Sequence, residues 1–177
     1  MKKINQRVKI TKMLIHNALI ELLSHKKIDK INVTELCSEA GINRATFYSH
    51  YNTPFDVLNE ISEEMALQLN QKMKPPTLDN VQTNLEILTE YIYENSGFIK
   101  IIIDNNSDSY FVDVISNMNK ALNTLDESSA FDEDSIKLIS GFLAGGGYHM
   151  IRMWLDEDIK KTPKEIAQLI YDLFRII

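Results

Sequence analysis

From Val33 to Tyr51 the chain reads VTELCSEAGINRATFYSHY, two short helical stretches hinged on one glycine. No other stretch restricts the fold as strongly. Asn32, with Glu35 three residues on, is a capping-box pattern that opens the first helix, expected over 33–40. Gly41 follows, the residue type that best accepts the left-handed conformation at a helix end. Asn43 can cap the next helix, expected to run to about Tyr51. Leu36, Ala40, Ile42 and Phe47 give the pair an apolar docking face, with Cys37 and Tyr51 beside them. Ahead of the pair, residues 6–24 carry Leu14, Ala18 and Leu22 flanked by Ile15, Leu19 and Leu23, a wide apolar stripe at helical spacing. A longer helix followed by two short ones across a glycine turn is the helix-turn-helix arrangement.

Helical spacing continues to the end of the chain, and strand alternation is almost absent. Thr53-Pro54 with Asp56 signals another helix start: a cap, a proline at the first helical position and an acid near the positive helix end. That helix is expected over 54–73, where Pro75-Pro76 stops it. Further helices are expected over 79–95, 97–104, 108–125, 132–157 and 163–177. The fold class is therefore all-α. Its expected organisation is a helix-turn-helix domain over 1–53, a connecting helix 54–73 and a helical body over 74–177.

Charge divides along the same line. Residues 1–53 hold nine Lys/Arg against four Asp/Glu, a net of +5, while the remainder of this chain of net charge −6 carries −11. A basic end on an acidic body points to nucleic acid or a membrane surface as partner. Cys37 is the single cysteine, so an intrachain disulfide framework is excluded. The N-terminal MKKINQRVKITKMLIH lacks the apolar core of a signal peptide, no apolar run reaches transmembrane length, and a cytoplasmic location with no membrane partner is expected.

The residues of the second short helix not needed for docking are Arg44, Ala45, Thr46, Tyr48, Ser49 and His50, with Asn43 at its start. Their chemistry suits a duplex. Arginine reads guanine edges or grips phosphate, alanine and the threonine methyl meet thymine methyls, and hydroxyls and imidazole bond phosphate oxygens. A solvated helix face is the plainer reading of the same residues.

The motif AGINRATFYSHY, within the wider match ITKMLIHNALIELL to INVTELCSEAGINRATFYSHYNTPFDVLNEI over residues 10–61, resembles the recognition region of tetracycline-repressor-like (TetR/AcrR) transcriptional regulators. The resemblance implies a three-helix DNA-binding head and a helical body that dimerises and usually holds a ligand. It places Arg44, Ala45, Thr46, Tyr48 and His50 toward the major groove or its phosphates, and Thr34 at the DNA backbone. One departure stands out. Asn52-Thr53-Pro54 replaces a lysine that many relatives carry, so a phosphate contact there is missing or taken over by the amides of Phe55 and Asp56. Lys2, Lys3, Lys26 and Lys27 are candidates to compensate electrostatically.

In the body, ISGFLAGGGYHMIRMW (139–154) matches neither glycine-rich phosphate fingerprint, and no strand precedes it. Glycine in a helix interior costs about 1 kcal/mol relative to alanine. Gly141, Gly145, Gly146 and Gly147 therefore imply close helix approach. A helix apolar on both sides, with the closing helix 163–177, is expected to form a four-helix seam with a second copy, through Gly141, Gly145, Tyr148, Trp154, Ile166, Ile170 and Phe174. GGGYHMIRMWLDEDIKKTPKEIAQLI also resembles the C-terminal end of a short-bodied branch of the family. Tyr91, Phe98, Phe111, Met118 and Phe142 are the candidate lining of an effector pocket, although aromatics at this spacing serve equally as plain core.

No catalytic or metal-binding constellation emerges. His16, His25, His50 and His149 are scattered, and no nucleophile elbow, phosphate loop or nicotinamide fingerprint occurs. The sequence therefore predicts a non-enzyme without cofactor. The expected function is a homodimeric, sequence-specific regulator on a palindromic double-stranded operator, a repressor released by a small-molecule effector. The alternative is a partner-dependent activator or co-regulator whose body is a protein-interaction module.

Overall fold

The computed structural model describes residues 6–75, 77, 79–105, 132–157 and 159–176, with backbone alone at 136 and 174–176. The helix expected over 108–125, and with it Phe111 and Met118, lies outside these residues, as does the side chain of Phe174. Every described element is helical: α1 (Gln6–Leu23), a 3-10 turn (Ile28–Lys30), α2 (Val33–Glu39), α3 (Arg44–Tyr48), α4 (Pro54–Lys72), α5 (Val81–Glu94), α6 (Ser96–Asn105), α7 (Glu133–Asp156) and α8 (Pro163–Ile176).

The chain forms two compact units, Met1–Leu67 and Gln68–Ile177. The division falls inside α4, ahead of the Pro75-Pro76 pair. Burial explains why. Val57, Leu58 and Ile61 of α4 are core residues of the first unit. Farther along, Gln68 accepts a hydrogen bond from the Tyr91 hydroxyl at 3.3 Å, and Lys72 stands 3.8 Å from Glu94.

The first unit, the head, is built around Ile15, Leu19, Leu36, Phe47, Val57 and Leu58, all fully buried. On α1 the buried set is Ile15, Ala18, Leu19 and Leu23, whereas Leu14 is 41% exposed. The apolar stripe is wider than the seam it supplies, and packing selects the register one residue beyond Leu14. The glycine turn takes the expected form. Gly41 has φ +65°, the Ile42 amide donates to the Cys37 carbonyl at 3.0 Å, and the Gly41 amide donates to that of Ser38 at 3.3 Å. These two bonds are the Schellman pattern, which satisfies carbonyls a helix end otherwise leaves open. At the other end of α2, Asn32 Oδ1 accepts from the Glu35 amide at 2.9 Å. The Glu35 carboxylate does not complete the capping box; it pairs with Lys26. Helix α3 is shorter than the spacing predicts. It ends at Tyr48, and the His50 and Tyr51 amides both turn back to the Phe47 carbonyl, at 2.9 and 3.0 Å.

In the second unit, the body, α5 packs on α8, α6 on α7 and α7 on α8. Asn84 is wholly buried and pins the strand-like exit from α4. It accepts from the Lys74 amide at 3.1 Å and donates to the Lys74 carbonyl at 2.8 Å. Helix α8 opens with a reciprocal cap in which Glu165 accepts from the Thr162 amide at 2.8 Å. Its apolar stripe splits. Ile166, Ala167 and Ile170 are buried, while Leu169 and Leu173 are 41% and 47% exposed.

A Cβ at Gly41 would meet nothing within 4 Å, so the cost of Gly41→Ala is purely conformational. We expect a loss of about 1–2 kcal/mol, read as a lower urea midpoint, and a smaller loss for Gly41→Asn. An unchanged midpoint for the alanine variant would remove the left-handed turn as a determinant of the head.

Candidate nucleic-acid interface

A helix of five residues does not persist alone, because nucleation costs more than one turn of hydrogen bonds returns. Helix α3 is held from behind and from its start. Phe47 is fully buried, its ring 5.8 Å from that of Tyr51. Asn43 caps as expected: Oδ1 accepts from the Thr46 amide at 2.8 Å and from the Thr46 hydroxyl at 3.0 Å. The Ser49 hydroxyl donates to the Thr46 carbonyl at 2.7 Å.

These bonds sort the expected DNA-contacting residues. Asn43, Thr46 and Ser49 spend polar atoms on the helix itself, which leaves the Thr46 methyl and spare lone pairs for a partner. Arg44, Ala45 and Ser49 are exposed, as is Thr34 at the start of α2; Tyr48 is 50% exposed, and Thr46 and His50 are half-buried. Arg44, Ala45, Tyr48 and Ser49 occupy one arc of the helix, across from Phe47. The Arg44 guanidinium lies 5.8 Å over the Tyr48 ring, and the nearness of Tyr48 raises its pKa above the ordinary arginine value. The arc therefore carries one permanent cation braced on an aromatic.

Two electrostatic expectations need correction. Lys26 is consumed by Glu35, and Lys12 and Lys30 likewise pair with Glu60 at 2.6 Å and Asp29 at 3.2 Å. Three of the nine Lys/Arg of residues 1–53 are thus paired with carboxylates, and Lys26 is one of them. At the start of α4 the Asp56 amide is already taken and does not offer a phosphate contact. The Asp56 amide goes to the Thr53 hydroxyl at 3.2 Å, and the Asp56 carboxylate occupies the same end, accepting from the Asn52 and Thr53 amides at 2.8 and 3.0 Å. Those two amides hold the Asp56 carboxyl below the usual carboxylate range, so a negative charge already sits where a phosphate would go.

The head also contains a polar cluster that the sequence analysis did not identify. His16 Nε2 and the Tyr51 hydroxyl are 3.0 Å apart, and Lys12 Nζ reaches both Glu60 oxygens, at 2.6 and 2.9 Å, while lying 5.3 Å over the Tyr51 ring. The lysine and histidine sit one turn apart on α1, which was a signal available in the sequence, but their partners are 35 and 48 residues away.

In the body, two of the five candidate pocket residues, Phe111 and Met118, lie outside the described residues. Tyr91 is a core residue, 6% exposed, and Phe98 is half-buried. Phe142 is 73% exposed on α7 and lines an apolar hollow of about 210 Å³ with Leu143, Gly146, Gly147, Met150, Ile170 and Leu173.

The expected seam divides as well. Trp154 is buried, stacked on Tyr93 at 5.9 Å, with its indole N–H donating to the Lys161 carbonyl at 2.9 Å. Tyr148, Ile166 and Ile170 are also buried within the one chain. Gly141 and Gly145 are exposed, and a Cβ at either meets nothing within 4 Å, so no close helix approach among the described residues accounts for them. The outward apolar face is instead Leu138, Phe142 and Met153 on α7 with Leu169 and Leu173 on α8.

Among the described residues, no three His, Cys, Asp or Glu side chains are grouped to hold a metal, and no helix is long and apolar enough to cross a membrane. Cys37 is buried, and burial pushes its thiol pKa up.

A family profile described as the transcriptional regulator C-terminal region, TetR_C_8, matches residues 79–175, more than half of the chain. The chain is 21% identical over 166 residues to the HTH-type transcriptional regulator YxbF of Bacillus subtilis, covering 90% of this chain but only 43% of that protein. A TetR transcriptional regulator from Streptococcus agalactiae superposes with a TM-score of 0.74 at 22% identity over 95% of each chain. DhaS, a dihydroxyacetone kinase operon activator, superposes with a TM-score of 0.64 at 21% identity over 93% of this chain and 94% of its own. A body matched across almost its whole length and a head folded as a helix-turn-helix lead to one assignment: the chain belongs to the TetR family of DNA-binding transcriptional regulators.

Proposed function

We propose that this regulator acts as a cytoplasmic homodimer on a palindromic operator, and that it is a repressor released when a small molecule binds the body. The observation that carries the DNA-reading part is the Phe47-anchored helix α3, which presents Arg44 braced on Tyr48 outward. Arg44 is the base reader of this pair, and Tyr48, with Thr34 and His50, contacts phosphate. One such helix covers only a few base pairs. Two half-sites about one helical turn apart, about 34–36 Å, give useful affinity, and a twofold protein matches a palindrome.

The dimer reading is supported by the outward face of α7 and α8. Leu138 and Phe142, 75% and 73% exposed, flank glycines whose Cβ positions are empty. A second copy laid along this face would cover the apolar side chains and take up the space the glycines leave. Close approach there offsets the helix-interior cost of the glycines. Effector release follows if the ligand binds the body differently at two head spacings, since only differential affinity shifts such an equilibrium. A second reading, a partner-dependent activator, is favoured by the fold shared with the operon activator DhaS, and it assigns the same apolar face to another protein.

Arg44→Ala is expected to lower operator affinity by about 1–3 kcal/mol and to relax base preference at one position of each half-site. A uniform loss on all sequences would reassign Arg44 to phosphate. Tyr48→Phe keeps the ring under Arg44 and should weaken binding modestly with the consensus intact. For the assembly, sedimentation of the wild type should give a dimer, and Phe142→Glu a folded monomer. Losing the second head should cost operator affinity by on the order of 10²–10⁴-fold. A wild-type monomer with full affinity for a palindrome would overturn the dimer and favour the partner-dependent reading.

A further inference from the structure

The polar cluster at the back of the head joins three parts of it. Tyr51 follows the recognition helix and is 5% exposed; His16 comes from α1 and Glu60 from α4. The ring of Tyr51 packs against Phe47, but packing alone leaves rotation about the helix axis weakly defined. A buried hydroxyl that must be satisfied does not, because leaving it unpaired costs more than the bond itself contributes. Its partners are fixed in turn. His16 Nε2 stands 3.0 Å from it, the Glu60 carboxylate is beside it, and Lys12 clamps both oxygens of Glu60. The bond network therefore defines the angle at which α3 leaves the head.

Resting on the DNA-reading role above, we propose that Tyr51 is a positioning residue for operator recognition, its hydroxyl holding the recognition helix at its reading angle through His16, and that a proton gained by His16 loosens this hold. The charged and titratable groups around His16 are Lys12 on its own helix, Glu60 and Glu64 on α4, and Tyr51 with His50 beside it at 6.4 Å between rings. Burial lowers the His16 pKa and outweighs the opposing pull of Glu64 and Glu60. A head that opens there returns the imidazole to its ordinary range, about 6.5. The opened head thus takes up a proton more readily than the closed one. The lock is complete above about pH 6.5 and is progressively lost as pH falls below it.

Operator binding and amide exchange in the free protein test this together, across pH 5.5–7.5, on the full chain. Tyr51→Phe keeps the ring and removes the hydroxyl. It should bind the operator about tenfold more weakly at pH 7.5, the scale of one hydrogen bond, with base preference unchanged and faster exchange of the amides of residues 44–51. His16→Gln keeps a hydrogen-bonding partner for Tyr51 that cannot become charged. It should bind as the wild type does at pH 7.5 and lose less affinity than the wild type does as the pH falls to 5.5. Wild-type affinity and exchange in Tyr51→Phe would overturn the positioning role, and an acid profile in His16→Gln equal to that of the wild type would overturn the proton dependence. If no form bound DNA, the DNA-reading role would fall, and the exchange comparison would still decide whether the lock exists.

Discussion

The head depends on the burial of one ring. Phe47 sits in the middle of a helix only five residues long, and its complete removal from water is what keeps that helix formed and oriented. Burying a side chain of this size contributes about 1.5–3 kcal/mol, more than the capping bond from Asn43 supplies. The anchor also dictates which residues remain available. With Phe47 turned inward, helical geometry leaves Arg44, Ala45, Tyr48 and Ser49 facing outward, and no choice of surface residues could reverse that.

The surroundings of this anchor are economical with charge. Lys12, Lys26 and Lys30 each meet a carboxylate, and the mouth of α4 is closed by Asp56. Asp56, Glu60, Glu63 and Glu64, which α4 adds to the unit Met1–Leu67, bring its net charge down to +1. On the outward arc of α3 the one cation is Arg44, braced on Tyr48. The body follows the opposite logic. Among the described residues none of its acids is buried, its aromatics Tyr91 and Trp154 are core, and its least satisfied surface is the apolar face shared by α7 and α8. Glycines in that face reduce helix stability, and among the described residues a Cβ at Gly141, Gly145 or Gly146 would meet nothing within 4 Å.

Where reading the residues succeeded, the information was local. Asn32, Gly41, Asn43 and the Thr53-Pro54-Asp56 start all act within four residues, and each does in the structure what its chemistry implies. The pairing of Glu35 departed from expectation because a flexible carboxylate has several partners in reach, and spacing does not rank them. In the body, spacing does not say which side of a helix apolar on two sides is the chain's own core: Tyr148 and Trp154 are buried within the chain, and Phe142 is exposed.

By itself the sequence determined the helical class, the helix-turn-helix head with its left-handed hinge at Gly41, and the identity of the outward residues on the recognition helix. All of these follow from periodicity and backbone chemistry over a few residues. Only the tertiary structure decided which apolar face of α7 is buried, that the division between the two units lies within α4, and that His16, Tyr51, Glu60 and Lys12 meet. Those outcomes depend on contacts between groups far apart along the chain, which the energy of the whole packing selects from alternatives that local pattern leaves equivalent.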